Sequence, residues 1–88
     1  MNPLEEIKKI TQEITNVKDI STKNRQTHVV RARAIYYKVA REELDFAFQK
    51  ISKYIKRDHA TALHALNKFD EYLYQSKVFK ANYEQIKH

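Results

Sequence analysis

A chain of 88 residues without a single glycine has few folds open to it. Glycine takes positive φ at no steric cost, and tight hairpins, strand bulges and phosphate-cradling loops lean on it. The one proline, Pro3, offers no turn chemistry further along. A P-loop and a dinucleotide-binding βαβ unit are therefore excluded, and an all-α chain remains. The length bounds it to one domain, 1–88, in which folding buries about 60–65% of the unfolded surface. Hydrophobic residues make up 42% of the chain, six Tyr and four Phe among them, enough for a packed core. There is no cysteine, which fits a reducing cytoplasm and excludes thiol chemistry. No apolar run reaches the ~18 residues of a membrane span, and the start lacks the apolar core of a signal peptide.

Apolar periodicity assigns about five helices. The first covers 1–17: Asn2 can cap it, Pro3 suits its first position, and Glu5 completes a capping-box-like arrangement. Leu4, Ile7, Ile10, Ile14 and Val17 form its apolar stripe, which either packs internally or pairs with a second chain. Residues 17–21 read as a short helical turn and 22–26 as an exposed basic loop. Thr27 is the expected N-cap of a helix reaching Leu44, with Val29, Val30, Ala32, Ile35, Tyr36, Val39 and Ala40 buried. Arg41 and Asp45 form an i,i+4 pair. Residues 45–55 follow, with Phe48, Ile51, Tyr54 and Ile55 on one face and Lys50 and Lys53 on another. Asp58 then caps a helix over 59–74 whose apolar face is Leu63, Leu66, Phe69 and Tyr72 or Leu73. Ser76 caps the last helix, 76–88, with Val78, Phe79, Tyr83 and Ile86 inward.

Net charge is +6, and its distribution is uneven. Residues 23–57 hold ten Lys and Arg against three acidic residues, Glu42, Glu43 and Asp45. The remainder holds seven basic residues against eight acidic ones. The excess gathers around the middle of the chain, which points to a polyanionic partner such as nucleic acid.

Catalytic and metal chemistry find little support. His59 and His64 are five residues apart, about 140° around a helix, so they share no face for a metal ion. Asp58, His59 and Thr61 stand together at an exposed helix start with no pocket implied for a nucleophile. No cofactor, metal or enzymatic activity is expected.

The run Arg57-Asp58-His59-Ala60-Thr61-Ala62-Leu63-His64-Ala65 resembles the signature of the C-terminal DNA-binding domain of DnaA, the bacterial replication initiator. That pattern is Gly-Arg-Asp-His-(Ser/Thr)-Thr-Val-x-His-Ala. Val29 to Ile35 is similar to the family's Ile-Val-x-Ala-Arg-x-Ile, and Ala40-Arg41-Glu42 to its Ala-Arg-Glu. The resemblance spans roughly 17–74 and implies a Trp-repressor-like helix-turn-helix that binds double-stranded DNA. It implies that Arg25, with Lys23 beside it, enters the minor groove, and that Arg33 contacts a phosphate. Lys50, Lys53 and Arg57 suit further phosphates, and Asp58, His59, Ala60 and Thr61 suit base edges in the major groove. The chain departs from the pattern in three places. Ala34 replaces a glutamine that touches the backbone, Ser52 replaces a glycine, and Lys56 alone stands where two glycines close the turn. A shortened turn without glycine is expected to bend with ordinary backbone angles, with Lys56 the residue placed to carry any strain.

A start at Met1 followed by a capped helix reads as a free-standing protein. The expected function is sequence-specific DNA binding by a small regulator or replication accessory factor of phage or mobile-element origin. The alternative is an interaction module that no longer reads DNA. It would dock a replication or host protein, or mimic the initiator, through Leu4, Ile7, Ile10, Ile14 and Val17 and through Tyr72, Tyr74, Phe79 and Tyr83, and the Leu4–Val17 stripe could also pair two copies.

Overall fold

Residues 32–37 are buried without a break, which no helix lying on a surface allows. Their helix, Thr27–Leu44, is the centre of the molecule and is α2 in chain order. The computed structural model describes residues 2–87. Met1 and His88, to which the expected first and last helices extend, lie outside the described residues. Around α2 stand α1 (Pro3–Thr15), α3 (Phe48–Tyr54), α4 (His59–Asn67), α5 (Phe69–Gln75) and α6 (Lys77–Lys87). Among the described residues there is no strand, and no helix is long and apolar enough to cross a membrane. α2 packs against α1, α3, α4 and α6, while α6 also covers α1 and α5.

The first helix forms as its cap dictates. Asn2 Oδ1 accepts from the Leu4 N–H at 2.9 Å, and Glu5 and Glu6 complement the dipole of the first turn. The capping box does not close, because the Glu5 carboxylate accepts from the Tyr54 hydroxyl and so ties α1 to α3. The apolar stripe is also rotated from its expected line. Leu4 and Thr11 are buried, Ile7 and Ile14 partly so, and Ile10 is 42% exposed. A straight helix at 3.6 residues per turn drifts off a strict seven-residue repeat, and here the drift carries Ile10 outward. Val17 lies beyond the helix, in a cap where Asn16 turns left-handed (φ 58°). The Val17 N–H donates to Gln12 O at 3.1 Å, a Schellman closure that buries its side chain. Leu4, Ile7, Ile14 and Val17 thus pack on the molecule's own core, and Ile10 is the stripe residue left outward.

Four further boundaries differ from expectation. Residues 17–21 form no helical turn; Asp19 Oδ1 instead accepts from the Ser21 N–H at 2.9 Å and its hydroxyl at 2.6 Å. Those bonds hold the Asp19 carboxyl below its usual range. Gln26, not Thr27, occupies the N-cap of α2, without a side-chain bond. Asp45 ends α2 in a left-handed conformation (φ 53°), so α3 begins only at Phe48. The expected helix over 59–74 breaks at Lys68 (φ −93°, ψ −5°), giving six helices among the described residues where about five are expected. Lys68 holds the backbone angles of the third residue of a type I turn, and neither glycine nor proline marks the place.

Burial on α4 and α6 also shifts. Ala62 and Ala65 are the buried residues of α4, while Leu63 is 44% exposed. On α6, Phe79, Tyr83 and Ile86 face inward, and Val78 is 70% exposed. Ser76 Oγ accepts from the Phe79 N–H at 3.1 Å and caps this helix as expected. Phe69 meets Phe79 and Tyr83 edge-on at 5.1 and 4.9 Å, pairs worth about 0.5–1.5 kcal/mol each beyond their buried area. Two of the four aromatic residues of the expected docking tail, Phe79 and Tyr83, are thus core.

Candidate nucleic-acid interface

Two short helices joined by a tight turn, α3 and α4, carry the candidate site. The turn closes through Lys56, whose φ is 60°. The Lys56 N–H donates to Lys53 O, and the Arg57 N–H to Ser52 O, both at 2.9 Å. This is a second Schellman closure, with lysine where glycine is usual. The ordinary backbone angles expected of a glycine-free turn do not hold: Lys56, the residue placed to carry any strain, is left-handed. Ser52, at the position of a family glycine, is fully buried.

Asp58 then starts α4. Its Oδ1 accepts from the Ala60 N–H at 3.2 Å and lies 3.3 Å from His59 Nδ1. One carboxylate oxygen thus caps the helix and turns the imidazole. His59, Ala60 and Thr61 are exposed on the first turn. Arg57 is half-buried, its Nε donating to Lys56 O at 2.9 Å.

The segment 16–26 lies against this helix start. It has no regular structure but is gripped from both sides. The Ile20 N–H donates to Gln12 Oε1 at 2.9 Å, and Ile20 O accepts from Arg33 Nε at 2.7 Å. Arg33 Nη2 donates to Thr22 O as well. Arg33, expected to meet phosphate from the surface, is only 6% exposed and is spent largely on these loop carbonyls. Burial, and next the nearby Arg57 charge, lower the Arg33 pKa, though a guanidinium stays protonated. Lys23 and Arg25 project from the loop, exposed.

Six of the ten residues expected at the site line one of two hollows. Arg25, Arg33, Arg57 and Thr61 line one notch of about 270 Å³ between the loop, α2 and α4. Lys50 and Lys53 border a different hollow, beside Asn2 and Pro3 at the start of α1, and Lys50 Nζ lies 4.0 Å from the centre of the Phe46 ring. Tyr37 and His64 also line the notch, and sequence reasoning did not assign either to DNA. His64 repeats at a family position and had that signal. Tyr37 lies in an all-round buried run of α2, where periodicity marks no face.

A family model described as the bacterial DnaA protein helix-turn-helix matches residues 4–69. The chain belongs to the bacterial DnaA helix-turn-helix family. The match runs from α1 through α4 to the first residue of α5, so the paired helices α3 and α4 are its helix-turn-helix. The helix-turn-helix of this family is a non-catalytic DNA-binding module. The chain is similar to the chromosomal replication initiator protein DnaA of Streptococcus mutans, at 38% identity over 97% of this chain and 20% of that protein. It is similar to the same protein of Bacteroides thetaiotaomicron, at 41% identity over 76% of this chain and 14% of that protein. Against Streptococcus pyogenes DnaA the identity is 35% over 97% of this chain and 20% of that protein. The chain spans a fifth or less of the length of these DnaA proteins. No solved structure gives a significant match.

Proposed function

We propose that the chain binds double-stranded DNA sequence-specifically, reading bases with the first turn of α4 and a minor groove with the 22–26 loop. One observation carries the reading: loop arginine Arg25 and helix-start residues Arg57 and Thr61 border a single notch, so both reading elements stand on one side of the molecule. Lys23, Lys50, Lys53 and Arg57 take phosphates, as exposed or half-buried cations on the same α3–α4 unit and loop. Arg33 contributes from within, by holding the loop carbonyls that place Arg25.

The base-reading chemistry follows from the cap. Asp58 spends one oxygen on the helix and keeps the other for a cytosine amino group. With Nδ1 turned to Asp58, His59 presents Nε2 to a base edge. The Ala60 and Thr61 methyls pack on thymine methyls. Ala60 replaces the family's serine or threonine and lacks its hydroxyl, so the preferred site overlaps the initiator's box and differs at one or two positions. The biological role is that of a small regulator or accessory factor acting at initiator-type DNA sites, on a phage or mobile element.

Selection of bound sequences from a random duplex pool defines the site. On that site His59→Ala costs about 1–3 kcal/mol, and on random duplex almost nothing. An unchanged ratio of specific to random affinity means that α4 reads no bases.

A further inference from the structure

A cavity of about 370 Å³ lies between the first turns of α2 and α6 and the end of α1, and shares no lining residue with the notch. Its floor belongs to the core: Ala32, Ile35 and Phe79 line it, none more than 3% exposed. The hydroxyls of Thr15, Thr27 and Ser76 stand around that floor. Arg31 supplies the permanent charge, and no carboxylate lines the cavity among the described residues. Arg31 also forms no ion pair with a carboxylate among the described residues. Its Nε is sealed from solvent and has no hydrogen-bond partner among them. Its Nη2 reaches Gln75 Oε1 only at 3.5 Å, long for a hydrogen bond. The guanidinium is nonetheless held in place, 5.2 Å from the centre of the Tyr72 ring. A buried charged donor without a partner carries a desolvation cost that a ligand oxygen removes. Thr27 and His28, the first residues of α2, border the same cavity, and the N-cap Gln26 gives that turn no side-chain bond. The positive end of an 18-residue helix therefore adds to the Arg31 charge.

We propose that this cavity binds a small organic carboxylate, its apolar body on Ala32, Ile35 and Phe79 and its carboxylate on Arg31 beside the first turn of α2. An apolar floor with a few converging polar groups is the usual layout of a small-molecule site, and the volume falls within the range of such sites. It equals that of about twelve liquid waters, which suits a compact acid and leaves no room for a long chain. The planar guanidinium matches the two oxygens of a carboxylate, and the hydroxyls can donate to either. None of the residues placed at DNA lines this cavity, so the proposal stands apart from the DNA-binding reading.

The test titrates the 88-residue chain with phenylacetate and 4-methylpentanoate, and with the uncharged amide of each, at constant ionic strength. Backbone amide and arginine Nε resonances are followed in wild type, Arg31→Gln and Val78→Glu, with thermal melting as the check on folding. Val78 lines the cavity and is 70% exposed, so a glutamate there adds a repelling charge without touching the core. Saturable binding of at least one acid is expected, with Kd about 1 mM or tighter for a ligand of this size. The shifts should centre on Thr27, His28, Arg31 and Ile35. Each amide should bind about tenfold or more weakly than its acid, and each variant should weaken the acid by a similar factor. Absence of saturation by both acids up to about 10 mM overturns the proposal. So does equal binding of acid and amide, or binding that neither folded variant weakens. If Arg31→Gln does not fold, Val78→Glu decides alone.

Discussion

Tyr36 and Tyr37 are adjacent in sequence, equally buried, and in edge-on contact at 5.7 Å. Their hydroxyls meet opposite fates. That of Tyr36 satisfies Ile51 O near the end of α3, where helix carbonyls run short of partners. That of Tyr37 satisfies nothing among the described residues. Tyr36→Phe removes one partner and strands the other, so it costs about 1–3 kcal/mol in urea unfolding. Tyr37→Phe removes a stranded group and leaves stability unchanged or higher. Equal losses in the two variants would show that the Tyr37 hydroxyl is bonded in solution.

At the scale of elements, the turn between α3 and α4 decides how the reading helix is held. Lys56 sits at φ 60°, where an ordinary L-residue loses roughly 1–2 kcal/mol relative to a right-handed conformation. Lys56→Gly removes most of that strain but adds unfolded-state freedom, so the expected gain is about 1 kcal/mol, or roughly 4–8 °C in Tm. A calorimetric scan that shows no rise would mean the turn is already relaxed. The position of this turn was legible in the sequence, because the family pattern has two glycines there and this chain has Lys56 alone, but its left-handed closure was not, since a lysine suggests ordinary backbone angles. The N-caps at Asn2, Asp58 and Ser76 were legible too, since each depends on a local side chain. What could not be read was tertiary in origin. Nothing near Lys68 announces the break between α4 and α5. The outward turn of Ile10 and Leu63 reflects which neighbours α1 and α4 meet. Arg33 looks like a surface cation in any one-dimensional reading. Only the fold shows that Ile20 and Thr22 carbonyls lie within its reach.

Across the whole molecule, charge and burial make two bulk predictions. The exposed or half-buried cations Lys23, Arg25, Lys50, Lys53 and Arg57 contribute about −0.9 each to the slope of log K against log salt for every phosphate they meet. A slope steeper than about −3 on random duplex is expected, and a slope near zero would remove the electrostatic basis of DNA binding. The second concerns alkali. Burial raises the pKa values of Tyr36, Tyr37 and Tyr83 above the ordinary 10.0, that of Tyr37 to about 12 despite facing Arg33 and Arg57. A hydrogen bond to Glu42 adds to the effect at Tyr83. Each folded value exceeds its unfolded one, so the folded state holds the proton more tightly. The associated stability is complete below about pH 10 and is lost as pH climbs toward the folded values. Urea midpoints should therefore fall steeply between about pH 10 and about pH 12. The grip on the peptide of Ile20, by Gln12 on one side and Arg33 on the other, has a thermodynamic consequence of its own. A loop already fixed before DNA arrives loses little chain entropy when its arginine enters a groove. Calorimetry of duplex binding should then report a heat-capacity change accounted for by interface burial alone, without the additional decrement of a segment that folds on contact.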